Sequence, residues 1–215
     1  MILHQPTLRT SWLRLAAFLL LLGCVAMLLD VPLALALAKH SLPTILEQIV
    51  RFSEIFGHGT GAAMLLIGAL VIGGIHLERL QDRILSLRLI SATYLGGLVV
   101  DVFKLLIPRV RPKAALLDSQ ISWIDTFGHE LLRADIHSRA SLMSFPSGHS
   151  AVAAGLAATL SWYYPRGSRV FSTFAVLACT QRLVSGSHYL SDVCFGAALG
   201  LLGAWICLPM KTANR

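Results

Sequence analysis

Charge is scarce in this sequence: Asp, Glu, Lys and Arg make up only 13% of its 215 residues. That is too little to keep a disordered chain in solution or to cover the surface of an ordinary water-soluble enzyme. Acidic residues are the scarcer sign, 11 against 18 Lys and Arg. The resulting +7 could suggest nucleic acid, but the apolar background leaves little room for the aqueous basic patch that such a partner needs. A membrane or an anionic substrate explains the excess better. Cysteine is limited to Cys24, Cys179, Cys194 and Cys207, each alone in an apolar stretch and without the close spacing of a metal site. They read as buried small hydrophobes. No internal repeat, low-complexity tract or composition break is present, so residues 1–215 read as a single membrane-embedded domain.

What the chain has in excess is apolar surface: 55% of residues are hydrophobic, and the mean hydropathy is +0.70. A helix that crosses a bilayer core needs about twenty mostly apolar residues, because its backbone must satisfy its own hydrogen bonds there. Six stretches approach that length: Leu15 to about Leu37, Gly59 to Ile75, Leu89 to about Ile107, Pro146 to Tyr164, Val170 to Val184, and Ser191 to Leu208. The expected fold is therefore all-α, an integral membrane bundle of six transmembrane helices. The first stretch also fits a secretory signal, with Arg9 and Arg14 ahead of it and Ala36-Leu37-Ala38 as a cleavage site. Its length exceeds a usual signal core, so a retained helix is expected.

Six crossings put both termini on one side, with the turns Glu78 to Arg88 and Pro165 to Arg169. Lys and Arg then divide nine and nine between the two sides, which orients nothing. If the opposite side's cations belong to a binding site and are discounted, the termini are cytoplasmic and the site faces outward. The one long connection, Pro108 to Phe145, carries Trp123, Phe127, Leu131 and Leu132 among Glu130, Arg133 and Asp135. This pattern predicts a short interfacial helix between the third and fourth crossings, or a plain surface helix bridging them.

Ionisable residues in or beside a crossing are costly and tend to mark function. They form three clusters here: Lys104 with Arg109, Arg111-Pro112 and Lys113; Pro146-Ser147-Gly148-His149; and Arg182, His188 and Asp192. Chain direction reverses at each crossing, so the end of the third, the start of the fourth, the end of the fifth and the start of the sixth share one membrane face. All three clusters are expected there. Lys104, Arg111 and Arg182 would surround one point with cations, and guanidinium groups suit phosphate oxygens. Ser147 and Gly148 resemble an anion-binding helix start. His188 and Asp192 are four apart, so the carboxylate can hold the imidazole by one nitrogen and leave the other as a nucleophile, with His149 free to donate a proton.

Lys104 through Pro112 fits K-x6-R-P, Pro146 to His149 is P-S-G-H, and Arg182 through Asp192 fits R-x5-H-x3-D. Together and in this order they resemble the three signature motifs of the type 2 phosphatidic acid phosphatase superfamily, which includes bacterial membrane lipid phosphatases. The resemblance covers Lys104 to Asp192. It implies that His188 attacks phosphorus to form a phosphohistidine, oriented by Asp192, while His149 protonates the leaving oxygen. It also implies that Lys104, Arg111, Ser147, Gly148 and Arg182 hold the phosphate, and that no metal or other cofactor takes part. The family's usual Ser before the third-motif Arg is Gln181 here.

Other residues read more plainly. His149, His188 and Asp192 have donor types that can ligate zinc, but three nearby cations would repel it. Asp101 pairs with Lys104 three residues on, and Arg109 and Lys113 read either as extra phosphate or headgroup contacts or, in preference, as interface residues drawn to anionic lipid. Gly96-Gly97 and Gly196, Gly200 and Gly203 permit tight helix packing, and Trp162, Tyr163 and Tyr164 form an interfacial belt. His4, His40, His58, His76, His129 and His137 read as structural.

The expected function is hydrolysis of a phosphate ester or anhydride of a lipid phosphate: phosphatidic acid or phosphatidylglycerol phosphate, a polyprenyl diphosphate, or a lipid A type phosphate. The membrane and that lipid are the expected partners, and nucleic acid is not. A phosphotransferase using the same intermediate is closely related. A non-catalytic binder of anionic lipid would lack a nucleophile, acid or orienting carboxylate, and a transporter would show repeated halves or paired broken helices.

Overall fold

A computed structural model of the chain describes residues 6–39, 42–133 and 138–209. His4, His40, Asp135 and His137 lie outside them. Among the described residues the regular structure is helical, and extended backbone pairs only in isolated bridges. Helix α1 (Pro6–Ala26) runs through a 3-10 turn at Met27–Leu29 into α2 (Asp30–Lys39). Pro32 falls in the first turn of α2, where its missing N–H is tolerated. Met27–Leu29 is therefore a tightened turn within a continuous helical run that carries Asp30 and Pro32.

Next come α3 (Thr44–Phe52), α4 (Glu54–Gly57), α5 (Gly59–Ile72) and α6 (Leu80–Leu106). After the long connection follow α7 (Gly148–Tyr163), α8 (Ser168–Val184) and α9 (Leu190–Cys207). Three helical runs among the described residues are long and apolar enough to cross a bilayer: Thr10–Lys39, Leu80–Leu106 and Leu190–Cys207. A fourth arises if Thr44–Gly57 and Gly59–Ile72, which meet at 73°, act as one broken span or re-entrant loop. The second expected crossing, Gly59 to Ile75, thus contains α5, the second arm of that bent pair. The fourth and fifth, α7 and α8, have only 16 and 17 residues.

The shortness of α7 has a packing counterpart. Every residue from Ser150 to Trp162 is buried, and α4, α5, α6, α8 and α9 all pack against it. Alanine and glycine make it a thin rod that neighbours approach closely. The clearest approach is at the crossing of α6 and α9, where a Cβ added at Gly96 would come within 2.6 Å of the Gly200 Cα. Of the glycines expected to permit tight packing, Gly96, Gly200 and Gly203 meet at this crossing, whereas Gly97 and Gly196 face Val152 and Ser147.

The expected interfacial helix is not formed where the sequence placed it. Residues 108–133 and 138–147 contain 3-10 turns at Pro112–Ala114, Ile124–Thr126 and Arg139–Leu142. Their backbone N–H groups reach across the segment instead of along it: Val110 donates to the Thr126 carbonyl at 2.9 Å and Leu116 to Leu131 at 2.9 Å. Leu131 and Leu132 turn inward onto Val110, Ala114 and Ala115, and this small core replaces the amphipathic face read from the sequence. An amphipathic helix does occur in α3. Its Ile45, Ile49 and Phe52 are exposed along one side, and Glu47 and Arg51 pair at 2.8 Å on the other.

Two further expectations are corrected. Trp162 is buried, and Tyr163 and Tyr164 donate to the carbonyls of Gly73 and Ala69, so this trio ties helix ends together instead of forming a belt. Cys24 is exposed on the outer side of α1, whereas Cys194 is buried.

Candidate active site

The last turn of α6, the start of α7, the end of α8 and the start of α9 meet at one end of the bundle. This brings the three sequence clusters together. Lys104 sits at the end of α6 with its ammonium against Gly148: a Cβ there would stand 3.0 Å from Lys104 Nζ. Glycine at the start of α7 therefore gives the cation direct access to the helix N-terminus. Asp101 reaches Lys104 Nζ at 3.4 Å from an exposed position, the pairing expected from their spacing.

Ser147 is the N-cap of α7 and is fully buried. Its hydroxyl oxygen accepts from Ser150 Oγ at 2.9 Å, and its N–H donates to the Asp192 carbonyl at 2.9 Å. Ser147 thus serves the cradle by holding the helix end in place, which leaves the first N–H groups of α7 and its positive dipole end for an anion. Arg111 donates weakly to the Met143 carbonyl at 3.4 Å, and its Nε is buried without a partner. Burial, with Arg182 nearby, lowers its pKa. Lys104, Arg182, His188 and His58 all lie within electrostatic reach of His149, whose Nε2 is also buried without a partner.

His188, in the loop before α9, is held differently from the expected dyad. Its Nδ1 lies 2.7 Å from the Ser144 carbonyl, while the nearest Asp192 oxygen is 3.8 Å away, beyond hydrogen-bond range. A carbonyl can only accept, so Nδ1 carries the proton and Nε2 keeps its lone pair. Burial is the main reason the His188 pKa is lowered, which favours this neutral form. Asp192 reaches the histidine indirectly: its Oδ2 accepts from Ser144 Oγ at 2.6 Å and from the Tyr189 N–H at 2.8 Å.

Three charged residues of this site were missed or misread in the sequence. Arg109 is not an interface residue. It is fully buried, donates to Asp192 Oδ1 at 2.5 Å and to Asp30 Oδ2 at 2.7 Å, and packs between the rings of Phe127 and Tyr189. Burial works against its charge, but the two carboxylates outweigh this and raise its pKa. Asp30 accepts from the Ser191 N–H at 2.9 Å and from Ser191 Oγ, which links α2 to the start of α9. A charge in the middle of an apolar run was its only sequence signal. Glu54, at the start of α4, had no signal. Its Oε1 lies 2.6 Å from Arg182 Nη2 and 3.9 Å from His149 Nε2. Gln181 donates to Glu54 Oε2 at 3.2 Å and accepts from Arg182 Nε, so the residue that departs from the family pattern holds the arginine in place.

A cavity of about 520 Å³ adjoins His188, walled by Leu33 and Leu37 of α2 and flanked by Lys113 and Arg133. Among the described residues, no His, Cys, Asp and Glu side chains group in a way that could hold a metal ion. Asp192 is occupied with Arg109, Ser144 and Tyr189.

Fold and site together define an integral membrane protein of α-helices in which Lys104, Arg111 and Arg182 gather with His149 and His188 at one end of the bundle. Residues 85–215 match the family model described as the PAP2 superfamily, and the chain belongs to that superfamily. It is 30% identical over 112 residues to a lipid A 1-phosphatase of Rhizobium etli, a match covering 52% of this chain and 44% of the relative. It is 31% identical over 113 residues to a lipid A 1-phosphatase of Rhizobium johnstonii, covering 53% and 41%. The matches span less than half the length of these curated relatives. The solved structure of Aquifex aeolicus LpxE superposes with a TM-score of 0.56 at 25% identity, covering 83% of this chain and 94% of that one. A phosphatidylglycerolphosphate phosphatase of Bacillus subtilis shares the fold with a TM-score of 0.54 at 20% identity, covering 96% and 94%.

Proposed function

We propose that this protein hydrolyses the phosphate ester or anhydride of a membrane lipid through a covalent phosphohistidine, without a metal. One observation carries the reading: His188 is tied through Nδ1–H to the Ser144 carbonyl and is held neutral by burial, which leaves Nε2 as a nucleophile. In the first step Nε2 attacks phosphorus, the bond from phosphorus to the lipid oxygen breaks, and His149 gives that oxygen its proton. In the second step water attacks the phosphohistidine, returns a proton to His149 and releases inorganic phosphate. Lys104, Arg111, Arg182 and the α7 N-terminus take the phosphate oxygens, whose charge spreads in the transition state. Asp192, Ser144 and Arg109 hold His188 and offset the positive charge it gains on attack.

The lipid character of the substrate rests on the apolar bundle and on the cavity beside His188. The two rhizobial relatives make a lipid A type phosphate the first substrate to try, ahead of phosphatidic acid, phosphatidylglycerol phosphate and a polyprenyl diphosphate. In the membrane we place six crossings, with the bent pair as the second. The termini are cytoplasmic and the pocket opens at the outer face.

Release of inorganic phosphate by the detergent-purified protein from a panel of these lipids, with a chelator present, tests the reading. Chelator-resistant release from one of them, abolished in folded His188→Ala and His149→Ala and retained in His129→Ala, is the expected result. Near-normal release by His188→Ala would overturn the nucleophile. Loss of lipid phosphate without inorganic phosphate would point to transfer onto an acceptor lipid.

A further inference from the structure

Glu54 belongs to the site by position, yet none of the steps above uses it. From the first residue of α4 it contacts Arg182 and Gln181 on α8 and faces His149 on α7. The short helix lies directly over that histidine, since a Cβ at Gly57 would stand 2.8 Å from the His149 carbonyl oxygen. The other groups that act on His149 electrostatically are Lys104 from α6, Arg182 from α8, His188 from the loop before α9, and His58 from the junction of α4 and α5. Two of these are permanent cations and two are imidazoles. Among the described residues Glu54 is the one carboxylate with an oxygen within 4 Å of a His149 ring nitrogen.

A proton donor for the leaving oxygen has to begin each turnover protonated. Beside two cations an imidazole loses its proton readily unless a carboxylate offsets them. At 3.9 Å the Glu54 oxygen is too far to hydrogen-bond His149 Nε2, but close enough to stabilise its charge while that N–H stays free for substrate. Building on the phosphatase reading, we propose that Glu54 is a positioning residue that offsets the cations beside His149 and so favours its protonated form, the acid for the leaving oxygen. Through the same carboxylate and Gln181, it also holds Arg182 toward the phosphate.

The Glu54→Gln variant removes the charge and keeps an oxygen that can accept from Arg182. It is compared with the parent on an alkyl lipid phosphate, whose leaving oxygen needs a proton, and on p-nitrophenyl phosphate, whose leaving group departs without one. The expected result is a fall in kcat of about tenfold or more on the alkyl ester and a change within about threefold on the aryl ester. The basic limb of the kcat profile, where His149 loses its proton, moves about one pH unit lower. Glu54→Asp, which keeps the charge, restores much of both. Equal losses on the two substrates with an unmoved limb would overturn the proposal and leave Glu54 as a support for Arg182 alone. An NMR titration of labelled histidines reads the same coupling without turnover. An unchanged His149 titration in Glu54→Gln overturns the proposal whatever the activity. A lowered titration in a protein that hydrolyses no ester supports the coupling and defeats the phosphatase reading instead.

Discussion

At the scale of single residues, one hydrogen bond orients the proposed nucleophile. The Ser144 carbonyl at 2.7 Å fixes the tautomer of His188, and burial lowers its pKa. The proposed chemistry requires the neutral ring, and a lowered pKa means that this form persists further into acid than in a free imidazole. The acid limb of kcat/KM, corrected for the substrate's own second ionisation, should therefore have its midpoint below about 6.5. A pH-rate profile of the purified protein checks this, and a midpoint above that value would contradict a buried neutral nucleophile. His149, His188, Lys104, Arg111 and Arg182 were all legible in the sequence, because motif spacing places them at successive helix ends. The Ser144 contact was not. Any residue can offer a carbonyl, so its amino-acid type carries no signal.

At the scale of elements, a buried chain of charge joins helices distant in sequence. Asp30 at the start of α2, Arg109 beyond the end of α6 and Asp192 in the first turn of α9 are each fully buried and satisfy one another. Removing one member of such a set leaves uncompensated charge in the interior, which costs about 3–5 kcal/mol. Arg109→Ala, which strands two carboxylates, should lower the thermal unfolding midpoint in detergent markedly, whereas exposed Arg133→Ala should leave it almost unchanged. Equal midpoints for the two variants would show that the triad adds nothing to stability. The sequence grouped Arg109 with Arg111 and Lys113 because the three are neighbours in the chain. Its real partners, Asp30 and Asp192, lie 79 positions earlier and 83 later, and no local periodicity connects them. The same limit explains the misplaced amphipathic helix. The pattern from Trp123 to Arg133 is amphipathic on paper, but its leucines found a closer apolar partner in Val110, Ala114 and Ala115.

At the scale of the whole molecule, the proposed orientation makes the long connection and the turn at Pro165–Gly167 lie on opposite sides of the membrane. A cysteine placed at exposed Gln120, in a background with the four native cysteines replaced by alanine, should react with a membrane-impermeant maleimide in intact cells. One placed at Arg166 should react only after permeabilisation. The reverse pattern would invert the topology and put the phosphate pocket in the cytoplasm. The labelling also tests the fourth crossing, because α7 is the one helix between Gln120 and Arg166 that could span, and both positions would label from the same side if it fails to cross.

Composition, apolar runs and motif spacing are properties of the chain itself. They were enough to determine a helical membrane protein, the meeting of three charged clusters at one face, and the superfamily to which the chain belongs. Those features follow from the cost of exposing backbone and charge to lipid, which acts on every stretch of sequence locally. Only the tertiary structure decided that Arg109 is an interior counter-ion, that Ser144 bonds both Asp192 and His188, and that Glu54 faces His149. Each of these is a contact between elements far apart in the chain. The energy of such a contact depends on distance and burial, and neither is written in the order of the residues.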